Sequence, residues 1–388
     1  MVNPAWQEVA QSIHQSGRRL VAAVTGGGSG ALGALLQTPG ASRSVLEAVV
    51  PYSQSALVKW IGASPDQWCS ESTARAMAMA AFVRARRLAA EADPFSLVGA
   101  ACTASLATDR PKRGNHRVHV AVQTAGSTLV RTLSLPKEGA DRAAEEAAAA
   151  RLLLAAIAEA CGVEASALFD ATIAQRTTGE TEQAPAARVE LLLQRRPLAV
   201  VKPWSTTEHF DEGAAPAMAV VFPGAFNPPH VGHRAMAAIA ERRLGRPIAW
   251  ELSIANVDKP PLDYLTLRRR VEALRDGDRS RPIALTHAAT FREKAALFPG
   301  ATFVVGADTA VRIAEPRYYG DDVARRDEAI AEIASRGCRF LVFGREMEGR
   351  FGELDDLQLP DSLRRVCEGV PAAEFREDLS STELRLPP

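Results

Sequence analysis

Two histidines three residues apart, His230 and His233, stand in the string FPGAFNPPHVGHR at residues 222–234, between an apolar run and an amphipathic one. Three-residue spacing lets both imidazoles share one face of a first helical turn, where main-chain N–H groups point outward and the helix dipole favours an anion. Gly224 relieves the turn of a Cβ, Pro228 and Pro229 stiffen the entry to the helix, and Gly232 leaves room for a phosphate against the backbone. Taken alone, two such histidines equally describe a solvated helix face or a metal pair.

Two later segments offer matching chemistry. FVVGADT at 303–309 ends an apolar run with Gly306 and Asp308, and LSSTELR at 379–385 places Ser381 and Thr382 at a helix start with Arg385 one turn on. Hydroxyls and N–H groups at such a start, followed by a guanidinium, suit phosphate oxygens, but the segment equally describes an N-cap with an ordinary arginine, and Gly306 with Asp308 a structural strand-end turn. Lys259, in NVDKPP, is either a further phosphate contact or a solvated loop lysine, and Arg345 after FLVFG is open in the same way. The pair His116 and His119, behind Lys112 and Arg113, reads as a solvated turn feeding a strand, since no acidic or thiol neighbour in the sequence makes it a zinc site.

Positioning these groups requires strands and helices in alternation. From residue 218 the pattern runs strand (218–222), helix (232–244) and strand (248–254), with further strands at 283–286, 302–305 and 340–343 and helical segments between them, which predicts a parallel sheet covered by helices. The first 163 residues alternate too: helix 7–16, strand 19–24, a glycine-rich turn at 25–30, helix 70–91, strands 97–103, 117–122 and 128–135, then helix 140–160. Residues 177–185 look like a polar loop and 205–216 like a linker. The expected fold class is α/β in two domains, 1–163 and 217–388, joined by a linker or extension at 164–216; the second domain is a Rossmann-like parallel sheet with helices on both faces. A length of 388 residues fits that division.

Composition narrows the function further. Lys plus Arg equals Asp plus Glu at 46 each, so no basic field exists to hold a nucleic acid. The most apolar long run, 143–161, is broken by Glu145, Glu146, Arg151 and Glu159, which points to a helix in water rather than a membrane span. The first twenty residues lack the apolar core of a signal peptide. The five cysteines, Cys69, Cys102, Cys161, Cys338 and Cys367, are scattered with no C-x-x-C pair, arguing against a disulfide framework or zinc site and for a reducing cytoplasm.

The strings G-A-F-N-P-P-H-V-G-H, G-A-D and S-S-T-E-L-R, in that order from residue 224 to 385, resemble the signatures of the HxGH nucleotidylyltransferase superfamily, in particular the nicotinamide/nicotinate mononucleotide adenylyltransferases. The resemblance implies that a mononucleotide phosphate oxygen attacks the α-phosphorus of ATP, with His230, His233 and Arg385 as the catalytic groups. It implies a nucleotide site built from Gly224, Phe226, Asn227, Gly232, Lys259, Gly306, Asp308, Ser381 and Thr382. Mg²⁺ would arrive on the phosphates, with no metal held by protein ligands alone. The partners implied are ATP and a pyridine mononucleotide. The wider superfamily leaves open another phosphorylated acceptor with ATP or CTP, and a catalytically silent nucleotide-binding regulator is the remaining alternative.

Residues 20–160 resemble, in diverged form, the CinA C-terminal family of nicotinamide mononucleotide deamidases, through LLQTPGASRSV, AVVPYSQSALVKWIG and ESTARAMA. The departures fall where the chemistry belongs. Against the family's A-E-S-C-T-G-G, the segment LVAAVTGGGSGAL puts Thr25, or with the T-G-G triplets aligned Ala23, at the nucleophilic serine. Leu57 stands at the family's lysine, and CTASLATDRPKRG replaces a glycine-rich loop. Thr25 and Tyr52 are thus remnants of a degenerate site, in a domain expected to be silent, ligand-binding or dimer-forming, with a homo-oligomer compatible.

Overall fold

The computed structural model describes residues 3–109, 114–138, 141–168, 171–205, 207–209, 218–257, 259–347 and 350–376. The chain divides into two compact units, Met1–Val189 with Asp258–Thr266, and Glu190–Val257 with Leu267–Pro388.

In the first unit the elements run α1 (Pro4–Gln15), β1 (Arg19–Thr25), α2 (Ser29–Gln37), α3 (Ala41–Ser44), β2 (Val45–Val49), α4 (Gln54–Ile61), α5 (Glu71–Leu88), β3 (Leu97–Ser105), β4 (His116–Thr124), β5 (Ser127–Leu135), α6 (Arg142–Ala160), α7 (Ala171–Arg176), β6 (Thr177–Gln183) and α8 (Ala186–Leu192), which crosses the unit boundary. The sheet order is β2-β1-β3-β4-β5-β6, with β1 parallel to both β2 and β3 and the rest antiparallel. Alternation along β1 explains the layering: Leu20, Ala22 and Val24 share a core with α1, α2 and α6, while Ala23 packs with α4 and α5. The alanine run of α6 is buried along its length, which is why its sequence is apolar around most of the helix.

Residues 177–183, expected as a loop, are instead β6. Their side chains are mostly polar and open to solvent, as befits a sheet edge, and the pairing with β5 is made by main chain that residue types do not report. His116 and His119 also depart from expectation. Both lie on β4 with 7% of their surface exposed. The His116 Nδ1 stands 2.7 Å from Glu145 Oε1, a buried acid from α6 that sequence proximity could not supply.

The Thr132 hydroxyl donates to Glu71 Oε1 at 3.0 Å, so His119 Nδ1–H donates to Thr132 Oγ1 at 2.8 Å. Burial first, then the charge of Arg117, pushes the His119 pKa down to about 4. The ring is therefore neutral in the folded chain through the range in which the unfolded chain takes up a proton. Above about pH 6.5 this histidine contributes no pH dependence. Stability should fall by at most roughly 3 kcal/mol between about pH 6.5 and 4, then level. Denaturant midpoints measured across that window should show a shallower acid slope for His119→Asn.

The short segment Asp258–Thr266 belongs to the first unit. The Tyr264 hydroxyl donates to the Ala125 carbonyl at 2.6 Å, its N–H donates to Thr128 Oγ1 at 3.0 Å, and Leu265 joins the core of α4 and α5. Asp263 caps the following helix through Thr266 N at 2.9 Å and faces Arg75 Nε at 3.1 Å, both side chains being buried. Tyr264→Phe keeps the ring but strands a buried carbonyl. It should cost about 1–2 kcal/mol, read as a lower urea midpoint with unchanged slope.

The second unit continues with β7 (Leu198–Val201), β8 (Glu208–His209), β9 (Val220–Pro223), α9 (Val231–Leu244), β10 (Ile248–Ser253), α10 (Tyr264–Gly277), β11 (Ile283–Thr286), α11 (Phe291–Leu297), β12 (Thr302–Gly306), α12 (Ala307–Ala314), α13 (Val323–Ser335), β13 (Arg339–Phe343), β14 (Arg345–Met347), β15 (Arg350–Gly352), α14 (Asp361–Arg364) and β16 (Cys367–Val370), α10 starting within the first unit's segment. The sheet order is β16-β13-β12-β9-β10-β11-β7-β8. The run from β16 to β11 is parallel, as alternation predicts, and β7 and β8 add an antiparallel edge from the stretch expected to link the domains. Phe303, Val305, Phe340 and Val342 share a core with α11, α12 and α13, while α9 packs on β9, β10 and β12. This is the Rossmann-like arrangement.

Candidate functional site

Strand order fixes where a ligand can go. From β9 the chain winds outward through β10 and β11, then returns to lay β12 on the other side of β9, followed by β13 and β16. The reversal leaves a crevice beyond the carboxyl ends of β9 and β12, the position at which doubly wound sheets bind ligands. The turn from Gly224 to His230 follows β9, Gly306 ends β12 and Asp308 follows it. Arg345 follows β13, the next strand.

The first turn of α9 positions the histidines. His230 is its N-cap in extended backbone conformation (φ −132°), with His233 three residues on, and the ring centroids lie 3.8 Å apart. The His230 N–H donates to His233 Nδ1 at 3.2 Å. That bond makes Nδ1 the acceptor, so a neutral His233 carries its proton on Nε2 and can donate from there. Neutrality is the resting condition: burial, then the neighbouring His230 and then Arg345 push the His233 pKa down to about 3.

Phe226 locks this turn. It has a left-handed φ of 44°, is 1% exposed, and packs edge-on against Phe222, His233 and Trp250 with centroids 5.1–5.6 Å away. A Cβ on Gly224 would sit 2.5 Å from the Phe226 ring, so this glycine makes room for an aromatic side chain within the turn. The turn is tied to the sheet by Gly224 N–H donating to the Glu251 carbonyl at 3.0 Å, and to α10 by Arg270 Nη1 donating to the Ala225 carbonyl at 3.0 Å. Neither partner is visible in the motif; within the run Arg268 to Arg270 no local signal singles out the residue that reaches the loop.

On the facing side, Gly306 caps α12 and Asp308 lies in its first turn. A Cβ on Gly306 would meet Asp308 Oδ1 at 2.6 Å. Arg345 Nε lies 3.8 Å from Asp308 Oδ1, with both side chains partly exposed. Asn227 is half-buried in the turn and Gly232 is buried in the first turn of α9. Lys259 is exposed and lies in the segment that packs with the first unit. Ser381, Thr382 and Arg385 lie outside the described residues.

In the first unit, Thr25 at the end of β1 and Tyr52 after β2 line one cleft of about 230 Å³, with Thr103 from β3. The glycine-rich turn beside it is not an open anion cradle. Glu146 of α6 occupies it, accepting from Gly28 N at 3.0 Å and from the Ser29 hydroxyl at 2.8 Å.

An imidazole pair on a helix start, at the reversal of a parallel sheet, defines a nucleotide-handling domain. Residues 221–386 match the family described as Cytidylyltransferase-like, and this part of the chain is a domain of that HxGH nucleotidylyltransferase superfamily, which supports nucleotidylyl transfer as its chemistry. Solved structures similar to the N-terminal region belong to the CinA superfamily. They include the competence/damage-inducible protein CihA of Agrobacterium tumefaciens (20% identity over 41% of this chain and 98% of that one, TM-score 0.36). Others are a CinA superfamily protein of Escherichia coli (21%, 40% and 88%, TM-score 0.33) and a competence or damage-inducible protein of Enterobacter asburiae (20%, 43% and 100%, TM-score 0.33). These likenesses assign no chemistry to the chain. No curated protein matches it. Among the described residues no helix is long and apolar enough to cross a membrane.

Proposed function

We propose that the chain transfers AMP from ATP to nicotinamide or nicotinate mononucleotide, forming NAD or its deamido form and pyrophosphate. The observation that carries this reading is the pinned tautomer of His233, whose Nε2–H is a donor at a helix start in the crevice between β9 and β12. The preference for a pyridine mononucleotide rests on the G-A-F-N-P-P and S-S-T-x-x-R strings, and the N-terminal resemblance to deamidases of the same mononucleotide points the same way.

An acceptor phosphate oxygen attacks the α-phosphorus of ATP while the bond from that phosphorus to the bridging oxygen breaks, and the electron pair leaves with pyrophosphate. Such a step needs alignment and neutralisation of growing charge, not a nucleophilic side chain. His233 donates from Nε2 to a phosphate oxygen, and His230, the helix dipole and Arg345 add to the same field. Ser381, Thr382 and Arg385 hold the leaving phosphates. Among the described residues named here, His230, His233 and Arg345 stand with the carboxylate of Asp308, and imidazole and guanidinium groups suit phosphate oxygens. Mg²⁺, which takes oxygen ligands, would be carried mainly by the nucleotide and would neutralise charge on its phosphates.

A second reading, CTP as donor to another phosphorylated acceptor, is favoured by the description of the matching family alone. Pyrophosphate release measured with Mg²⁺, ATP or CTP, and each of the two pyridine mononucleotides side by side separates the readings. No release with either mononucleotide would remove the first.

A further inference from the structure

The turn that leads to the histidines holds a backbone conformation that its own residues do not favour. Phe226 is left-handed, with φ 44°, a region that a residue with a Cβ keeps only where its surroundings over-determine it. Two hydrogen bonds from outside the turn supply that constraint. Gly224 N–H donates to the Glu251 carbonyl of β10 at 3.0 Å, and Arg270 Nη1 of α10 donates to the Ala225 carbonyl at 3.0 Å. The second bond bears directly on Phe226. A peptide unit is planar, so fixing the Ala225 carbonyl also fixes the Phe226 nitrogen about which φ is set.

The left-handed turn in turn places a ring. The Phe226 side chain folds back over Gly224, where a Cβ would lie 2.5 Å from it, and packs against Phe222, Trp250 and His233. Its ring stands across the His233 imidazole, with centroids 5.2 Å apart and planes at 72°. The same imidazole accepts at Nδ1 from His230 N–H at 3.2 Å. These two contacts orient the imidazole plane, and with it the direction of the Nε2–H. Of three consecutive arginines on α10, Arg268 Nε lies 3.8 Å from Glu272 Oε1, Arg269 is exposed, and the half-buried Arg270 reaches the turn.

We propose that Arg270 is a positioning residue for nucleotidylyl transfer. By holding the Ala225 carbonyl it keeps Phe226 left-handed and the His233 Nε2–H aimed at the phosphate, without itself touching the nucleotide. The inference rests on the reading of His233 as a donor to charge that grows in the transition state, and it adds to that site a residue 45 positions from Ala225 in sequence.

With ATP and nicotinamide mononucleotide, Arg270→Ala should lower kcat for pyrophosphate release about tenfold, the worth of one charge-assisted hydrogen bond. KM for both substrates should stay within about threefold of wild type, as for a group that acts only on the transition state. Arg270→Lys keeps a charged donor of similar reach and should recover most of the loss. Arg269→Ala removes the same charge from an exposed position on the same helix and should leave the rate within about twofold. The deciding measurement is a double-mutant cycle. In a His233→Ala background, Arg270→Ala should cost less than about twofold, because the group it serves is already gone.

Histidine side-chain NMR of the nucleotide-free chain follows the same role without the reaction. His233 should show the Nε2–H tautomer in the wild-type chain and a mixture of tautomers in Arg270→Ala. A wild-type chain inactive with every acceptor would refute the reading of the site, while the spectra would still decide the role of Arg270. Equal losses in both backgrounds overturn the proposal, as does a loss carried mainly by KM. An unchanged His233 spectrum in Arg270→Ala overturns it as well.

Discussion

His233→Ala is expected to lower pyrophosphate release by two to three orders of magnitude, with most of the loss in kcat. The size follows from the kind of contact removed: a preorganised donor aimed at charge that grows in the transition state is worth about 10²–10³ in rate. His233 meets the conditions for such a donor. Its ring is held between the His230 main chain and the Phe226 ring, and its Nδ1 is occupied by the His230 N–H at 3.2 Å. With its pKa pushed down to about 3, chiefly by burial, it donates as a neutral group throughout the working range. Two consequences separate this role from a merely structural one. His233→Gln, which can place an amide N–H near the lost Nε2–H, should recover part of the rate. The acid limb of kcat/KM for the wild-type chain should not be set by His233 above about pH 4, because the free protein keeps that ring neutral there. Turnover within threefold of wild type in His233→Ala would remove the residue from the reaction.

The largest expected loss of stability comes from Lys294→Met. Lys294 Nζ donates to both oxygens of Glu251, at 2.7 and 2.8 Å, and to the Ala288 carbonyl at 2.8 Å; the Thr286 hydroxyl completes the carboxylate's partners at 2.5 Å. Side-chain exposure is 7% for the lysine and 1% for the glutamate, so neither charge has water to fall back on. Removing the lysine leaves a buried carboxylate without its cation, a change that costs about 3–5 kcal/mol. For a unit of this size the melting temperature should drop by roughly 10 °C. The companion experiment is the double replacement Lys294→Met with Glu251→Leu, which exchanges the pair for apolar packing and should recover most of the loss. Failure of the double variant to recover would mean that the hydrogen bonds to Thr286 and Ala288, rather than the paired charges, carry the site. The effect also reaches the nucleotide crevice, because the main-chain carbonyl of Glu251 holds Gly224.

Much of the second unit was legible because its code is local. The apolar run at 302–305 is β12 with one residue added, 283–286 is β11 to the residue, and the paired prolines before His230 mark the start of α9. The first unit was less legible where main-chain pairing outweighed side-chain type. β6 forms from Thr, Gly, Glu and Gln because β5 offers it an edge, and His116 is buried because Glu145, on a helix distant in sequence, meets it.

By itself the sequence determined the identities that chemistry needs: two imidazoles on one helical face, glycines where a Cβ would collide, and apolar runs of strand length in alternation with helices. Such features depend on residues within about one turn of each other, so they are written in neighbouring letters. Only the tertiary structure decided that β12 returns to lie beside β9, which puts Asp308 and Arg345 at the same crevice as His233. It alone decided that the Phe226 side chain points into the core, that Glu146 fills the glycine-rich turn, and that the segment from Asp258 to Thr266 folds with the first unit. Those outcomes join residues tens to more than a hundred positions apart, and burial and charge pairing, acting after the strands are ordered, choose among partners that no local pattern distinguishes.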